Sequence, residues 1–193
     1  MSKTIELLKQ YHPSNEQEEM DVKQIINAEK VFGDILTREN TFGHLTSSAF
    51  IVNKDRTKVL CIYHNIYKSW GWVGGHADGD DDMLYVAKKE AVEETSLKNF
   101  EVVSEMPISV EILPVKGHVK NGKYVSAHMH YNVTYLLEAN ESDDVEIKAD
   151  ENSNIGWLGF DELIEICDEP YMIPVYKKII DKISNRGNRW RYF

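Results

Sequence analysis

The stretch from Trp72 to Leu97 constrains this chain more than any other. A short apolar segment, Trp72-Val73, runs into paired glycines, Gly74 and Gly75, and then into the acids Asp78, Asp80, Asp81 and Asp82. Met83, Leu84, Ala87 and Ala91 follow at roughly helical spacing. The segment therefore reads as the end of a strand, a glycine turn, an acidic helix cap and an amphipathic helix over about 82–95. That helix also carries Glu90, Glu93 and Glu94. Residues three and four apart on a helix are surface neighbours, and like charges there cost roughly 0.2–0.5 kcal/mol per pair. A cation offsets such a cluster. Mg2+, a hard ion that takes one or two carboxylates plus substrate phosphates, fits this ligand set best. The competing reading is a solvated acidic face, and the paired glycines, which let a backbone carbonyl approach a ligand closely, weigh against it.

Gly75, Asp81, Lys89-Glu90-Ala91, Glu93-Glu94 and Ser96-Leu97 resemble the Nudix box. Its pattern is Gly, five residues, Glu, seven residues, Arg-Glu-apolar, one residue, Glu-Glu, one residue, Gly-apolar. The spacing is kept without a gap, and Gly75, Glu90, Glu93 and Glu94 are identical to it. Asp81 stands where the family has Glu, Lys89 where it has Arg, and Ser96 where it has the helix-ending Gly. Asp81 and Lys89 read as a joint softening of one supporting ion pair. Ser96 costs on the order of 1 kcal/mol if it is left-handed.

The resemblance implies a Nudix-type α/β/α sandwich with a mixed β-sheet, and strands interleaved with helices suggest the same layering. It implies metal-dependent hydrolysis of a nucleoside diphosphate linked to another moiety, a pyrophosphohydrolase reaction on a small-molecule nucleotide or conjugate. Glu90, Glu93 and Glu94, helped by the Gly75 carbonyl, would hold Mg2+ or Mn2+, and Lys89 would position the glutamates. The base varies within the family between a box glutamate and a carboxylate from a later loop; Glu151 is the candidate of the second kind, against a reading as a loop acid. The alternative is a Nudix-like module with weakened turnover that binds or senses a nucleotide. An isomerase of the same superfamily would need a reactive cysteine, and Cys61 has no surrounding signature.

Composition narrows the partners. With 193 residues, 42% of them hydrophobic, the chain reads as one domain, a helical N-terminal extension over 1–44 and a core with C-terminal helices over 45–193. A net charge of −10 argues against a general nucleic-acid or membrane-surface binder. Cys61 and Cys167 form no spaced pair and read as buried thiols of a reducing compartment. No signal peptide or membrane-spanning run is evident, so a cytoplasmic protein is expected. The resemblance leaves a homodimer open.

Periodicity places helices at 3–11 and 16–37, with Gly33 ending or bending the second. Strands are expected at 46–52, 59–63, 100–112, 124–137 and 155–158, and helices near 160–168 and 171–185. His128 and His130, two apart on an expected strand, point to one face. They read as lining a substrate pocket, as hydrogen-bonded structural residues, or as ligands of a transition metal. His76, directly after the glycines, is placed to touch a phosphate, whereas His44 and His118 carry no clear assignment. Trp70, Trp72 and Tyr131 are candidates to stack on a base, Trp70 foremost, against core packing as the alternative. The basic and aromatic segment 186–193 suits RNA or phosphate contact, or packing on its own domain or a partner subunit.

Overall fold

The computed structural model describes residues 2–120, 122–147 and 152–186. The helix-start residues act as their chemistry demands. Ser2 accepts a hydrogen bond from the Ile5 N–H and starts α1 (Lys3–Gln10), and Asn15 accepts from the Glu18 N–H at 2.9 Å and starts α2 (Glu16–Phe32). Gly33, at φ +75°, ends α2 in the left-handed region, earlier than the expected residue 37. The elements that follow are β1 (Gly43–Asn53), β2 (Lys58–His64), β3 (Ser69–Gly71), β4 (Val73–His76) and α3 (Met83–Thr95). After them come β5 (Glu101–Val102), β6 (Ser109–Val115), β7 (His118–Lys120), β8 (Lys123–Val125) and β9 (His128–Ala139). The chain continues with β10 (Asn152–Gly159), α4 (Phe160–Ile166) and α5 (Ile173–Arg186). In the main sheet the strand order is β10-β2-β1-β9-β5, with β3 on β2, β4 on β1 and β6 on β9; β7 and β8 pair separately. The fold is mixed α/β, as expected.

By compactness the chain divides into two units. The first comprises Met1–Ala49, Gly74–Glu90 and Ser104–Tyr135. In it β6 pairs antiparallel with β9, from Ser109 opposite Thr134 to Val115 opposite His128. Helix α2 lies on β6: Ser109 donates to buried Glu18 at 3.1 Å, and Asp21 accepts from the Ile112 N–H at 2.9 Å. Leu8, Ile25, Leu45, Val110 and Val133 are among its buried apolar residues. The polar side chains of β1 are satisfied inside it. Thr46 and Ser48 both donate to Asn132 Oδ1 at 2.9 Å, and Ser47 donates to the Met83 carbonyl at 2.6 Å.

The second unit comprises Phe50–Val73, Ala91–Val103 and Leu136–Phe193. There β10 pairs antiparallel with β2, Gly156 opposite Cys61, with an irregularity between Asn152 and Asn154. Tyr176 of α5 sits in the core with its ring 5.4 Å from Trp72 and 6.4 Å from Phe50. Two expectations need correction. The strand expected over 100–112 is broken into β5 and β6, because Pro107 lacks an N–H for the ladder and Ser104 forms a side-chain turn with the Met106 N–H. The strand expected from 124 begins at His128, and the loop around Lys116-Gly117-His118 leads into the β7–β8 hairpin.

Candidate active site

The glycine turn expected after Val73 is instead part of β4 (Val73–His76), and this strand admits only glycine at residues 74 and 75, for reasons of space. A Cβ added to Gly74 would lie 2.5 Å from Ser48 Oγ and 2.8 Å from the Ser47 carbonyl. One added to Gly75 would lie 2.5 Å from both carboxylate oxygens of Glu90. Neither glycine has a positive φ, so the requirement is close approach rather than backbone freedom. The Glu90 carboxylate is thus held face to face with the Gly75 backbone, and Lys89 Nζ stands 3.8 Å from its Oε1.

Glu93 and Glu94 follow on α3, three and four residues beyond Glu90. Glu93 is exposed, while Glu94 is only 3% exposed. Asn152 Nδ2 donates to Glu94 Oε1 at 3.3 Å, and Asn152 Oδ1 is a buried acceptor with no partner among the described residues. An orphaned acceptor beside a buried carboxylate, both of them hard oxygen donors, suits a hydrated divalent cation. Glu151, the candidate base, lies outside the described residues.

One departure from the box, Asp81, has a structural partner far away in sequence. Asp81 does not serve the ion pair expected with Lys89. Its carboxylate accepts from the Lys3 N–H and, at 3.0 Å each, from the Thr4 N–H and the Thr4 hydroxyl. It thereby satisfies the first turn of α1, a job for which a short side chain is suited. Ser96 has φ +57°, so a residue with a Cβ occupies the left-handed position where the family places glycine.

Four histidines come together in the first unit. His44 of β1, His76 of β4 and His130 of β9 have ring nitrogens all within 4.8 Å of one another. Their ring centroids are 5.1 Å apart for His44 and His76, 5.2 Å for His44 and His130, and 4.9 Å for His76 and His130. His128 lies 4.9 Å from His44, so the expectation that 128 and 130 share a face is met. Burial disfavours the charged form of each of the three. It lowers the His44 pKa and, with the Arg38 and His44 charges adding, brings His76 down to about 3; His130 falls to about 2, with the neighbouring histidines adding to burial. The sequence left His44 unassigned, and only the adjacency of β4, β1 and β9 reveals it.

The aromatic candidates separate. Trp70 is part-exposed and meets Tyr63 edge to face at 5.8 Å, so its ring remains able to stack on a ligand. Trp72 and Tyr131 are 8% and 6% exposed and pack internally, in line with the core-packing alternative. Cys61 is fully buried, and burial pushes its thiol far above the usual range, which removes it as a nucleophile. Residues 187–193 of the basic and aromatic tail lie outside the described residues.

The chain matches the family profile described as NUDIX domain over residues 43–182, and it belongs to that family. Among curated relatives, it is 27% identical over 138 residues to a protein of Pelagibacter ubique named RNA pyrophosphohydrolase, covering 69% of this chain and 87% of that one. Among solved structures, a C. elegans Ap4A hydrolase aligns at TM-score 0.55 and 20% identity, over 73% of this chain and 98% of the other. The E. coli dihydroneopterin triphosphate pyrophosphohydrolase aligns at TM-score 0.53 and 12% identity, over 72% and 95%. These structural likenesses establish the Nudix fold.

Proposed function

We propose that this protein is a metal-dependent pyrophosphohydrolase that cleaves a nucleoside diphosphate linked to another moiety. The observation that carries the reading is the Glu90 carboxylate held against the Gly75 backbone, at a distance that no side chain at residue 75 would permit. Glu90, Glu93 and Glu94, with the Gly75 carbonyl, are the residues that would hold Mg2+ or Mn2+. When bound, such an ion neutralises phosphate oxygens, stabilises charge on the leaving group and lowers the pKa of a bound water. Lys89 steadies Glu90. Asn152 holds the Glu94 carboxylate, and its own buried carbonyl oxygen, without a partner among the described residues, is a further hard donor for a hydrated ion. Glu151, next to Asn152 in sequence, is the candidate to accept the proton from the attacking water. Trp70 offers a ring face for a base.

The relatives' names guide the choice of substrates, since they span an RNA, a dinucleoside polyphosphate and a pterin triphosphate. The test is phosphate or pyrophosphate release from nucleoside triphosphates, sugar nucleotides, ADP-ribose, Ap4A and RNA bearing a 5′ phosphoanhydride, with Mg2+, Mn2+ and excess chelator compared. Metal-dependent release from one class is expected. Tight nucleotide binding with no release from any compound would overturn the enzyme reading in favour of a sensor.

A further inference from the structure

We propose that His44, His76 and His130 form a second metal site, for a divalent transition ion of the zinc type, distinct from the carboxylates on α3. Imidazole nitrogens suit zinc and its neighbours, whereas magnesium prefers carboxylate, carbonyl and water oxygens. The three ring nitrogens come from three adjacent strands, because β4 and β9 both pair with β1. This is a rigid frame rather than a loop.

The protonation pattern is preset for ligation. His44 Nδ1 lies 3.1 Å from the Asn40 carbonyl, which can only accept, so Nδ1 carries the proton and Nε2 presents a lone pair. That Nε2 is buried and has no hydrogen-bond partner among the described residues, and the same holds for His130 Nε2. Buried polar nitrogens without partners are uncommon, and two of them in one cluster suit a shared ligand. A backbone carbonyl that fixes the far nitrogen of a coordinating histidine is the usual outer support of such sites. His128 repeats the device, its Nδ1 at 2.8 Å from the Ser126 carbonyl, but it lies outside the set of three.

The geometry needs a small closure. Zinc–nitrogen bonds of about 2.0–2.1 Å place tetrahedral ligands roughly 3.4 Å apart, so nitrogens lying within 4.8 Å of one another must draw in by up to about 1.4 Å. Three histidines leave a fourth position for water or another exchangeable ligand. The site is also separated from the box by strand geometry. Successive residues of β4 face opposite sides, so the His76 side chain leaves the face on which Glu90 meets Gly75.

The test is metal content and zinc affinity of the purified full chain by competition with a chromogenic chelator, for wild type, His44→Gln, His130→Gln and Glu94→Gln. One zinc per chain is expected, with binding weakened at least about a hundredfold in both histidine variants and unchanged in Glu94→Gln. Equal affinity in wild type and the histidine variants, or loss in Glu94→Gln alone, would overturn the site. Because a histidine variant could unfold, X-ray absorption on zinc-loaded wild type gives an independent answer. Three imidazole ligands support the proposal, and an all-oxygen shell refutes it. Neither result depends on whether Mg2+ drives phosphoanhydride hydrolysis.

Discussion

The Asp81 carboxylate accepts hydrogen bonds from both the N–H and the hydroxyl of Thr4, 77 residues away in sequence. Together with Ser2, which takes the Ile5 N–H, it leaves little of the first turn of α1 unsatisfied. Asp81→Ala should therefore lower stability by about 1 kcal/mol, the usual cost of a lost cap, or a few degrees of melting temperature. Asp81→Glu should also lower it, since the added methylene displaces the carboxylate. A rise in both stability and turnover on restoring the family's glutamate would show that the aspartate is a defect rather than a cap.

Ser96→Gly should raise stability by roughly 0.5–1 kcal/mol, because glycine removes the left-handed Cβ penalty at the end of α3 while losing some unfolded-state advantage. Denaturant midpoints at constant slope measure it.

Gly75→Ala puts a methyl group into the Glu90 carboxylate. Turnover should fall on the order of a hundredfold, the penalty expected for about an ångström of misplacement at a reacting centre. Circular dichroism should show the fold retained. Full activity in the folded variant would detach Gly75 from the site.

Glu94→Gln should abolish metal-dependent turnover, exceeding the roughly 10–100-fold typical of changes in outer supporting residues. Lys89→Arg should leave turnover equal or higher. A large loss there would mean that the Lys89 ammonium beside Glu90 is tuned to its place.

Cys61 should resist alkylation in the native protein and react only after denaturation, as its burial and raised pKa require. Rapid native labelling read by mass spectrometry, with activity lost in step, would revive the cysteine-dependent alternative.

How much of this was legible in the sequence depended on the range of the interaction. Termination at Gly33 and the helix carrying Glu90, Glu93 and Glu94 are local matters, and the residues announce them. Alternation along one strand likewise puts His128 and His130 on one side. The use of Asp81 by α1 and the gathering of His44 with His76 and His130 depend on contacts across tens of residues, which no period records. Trp72 and Trp70 differ by two positions and look alike in sequence, yet one packs on Tyr176 and the other stays part-exposed.

The anchoring of the N-terminal helices has a consequence for how the protein can be divided. The family match begins at residue 43, yet Asp81, Ser109 and the Ile112 amide all find their partners upstream of it, in Thr4, Glu18 and Asp21. Residue 43 is accordingly a seam of ancestry, not of folding. A truncation made there would spare every residue of the proposed catalytic set, yet it would strand polar atoms on β6 and beside α3. Substitutions in 1–42 should therefore be constrained by the same core they help to close.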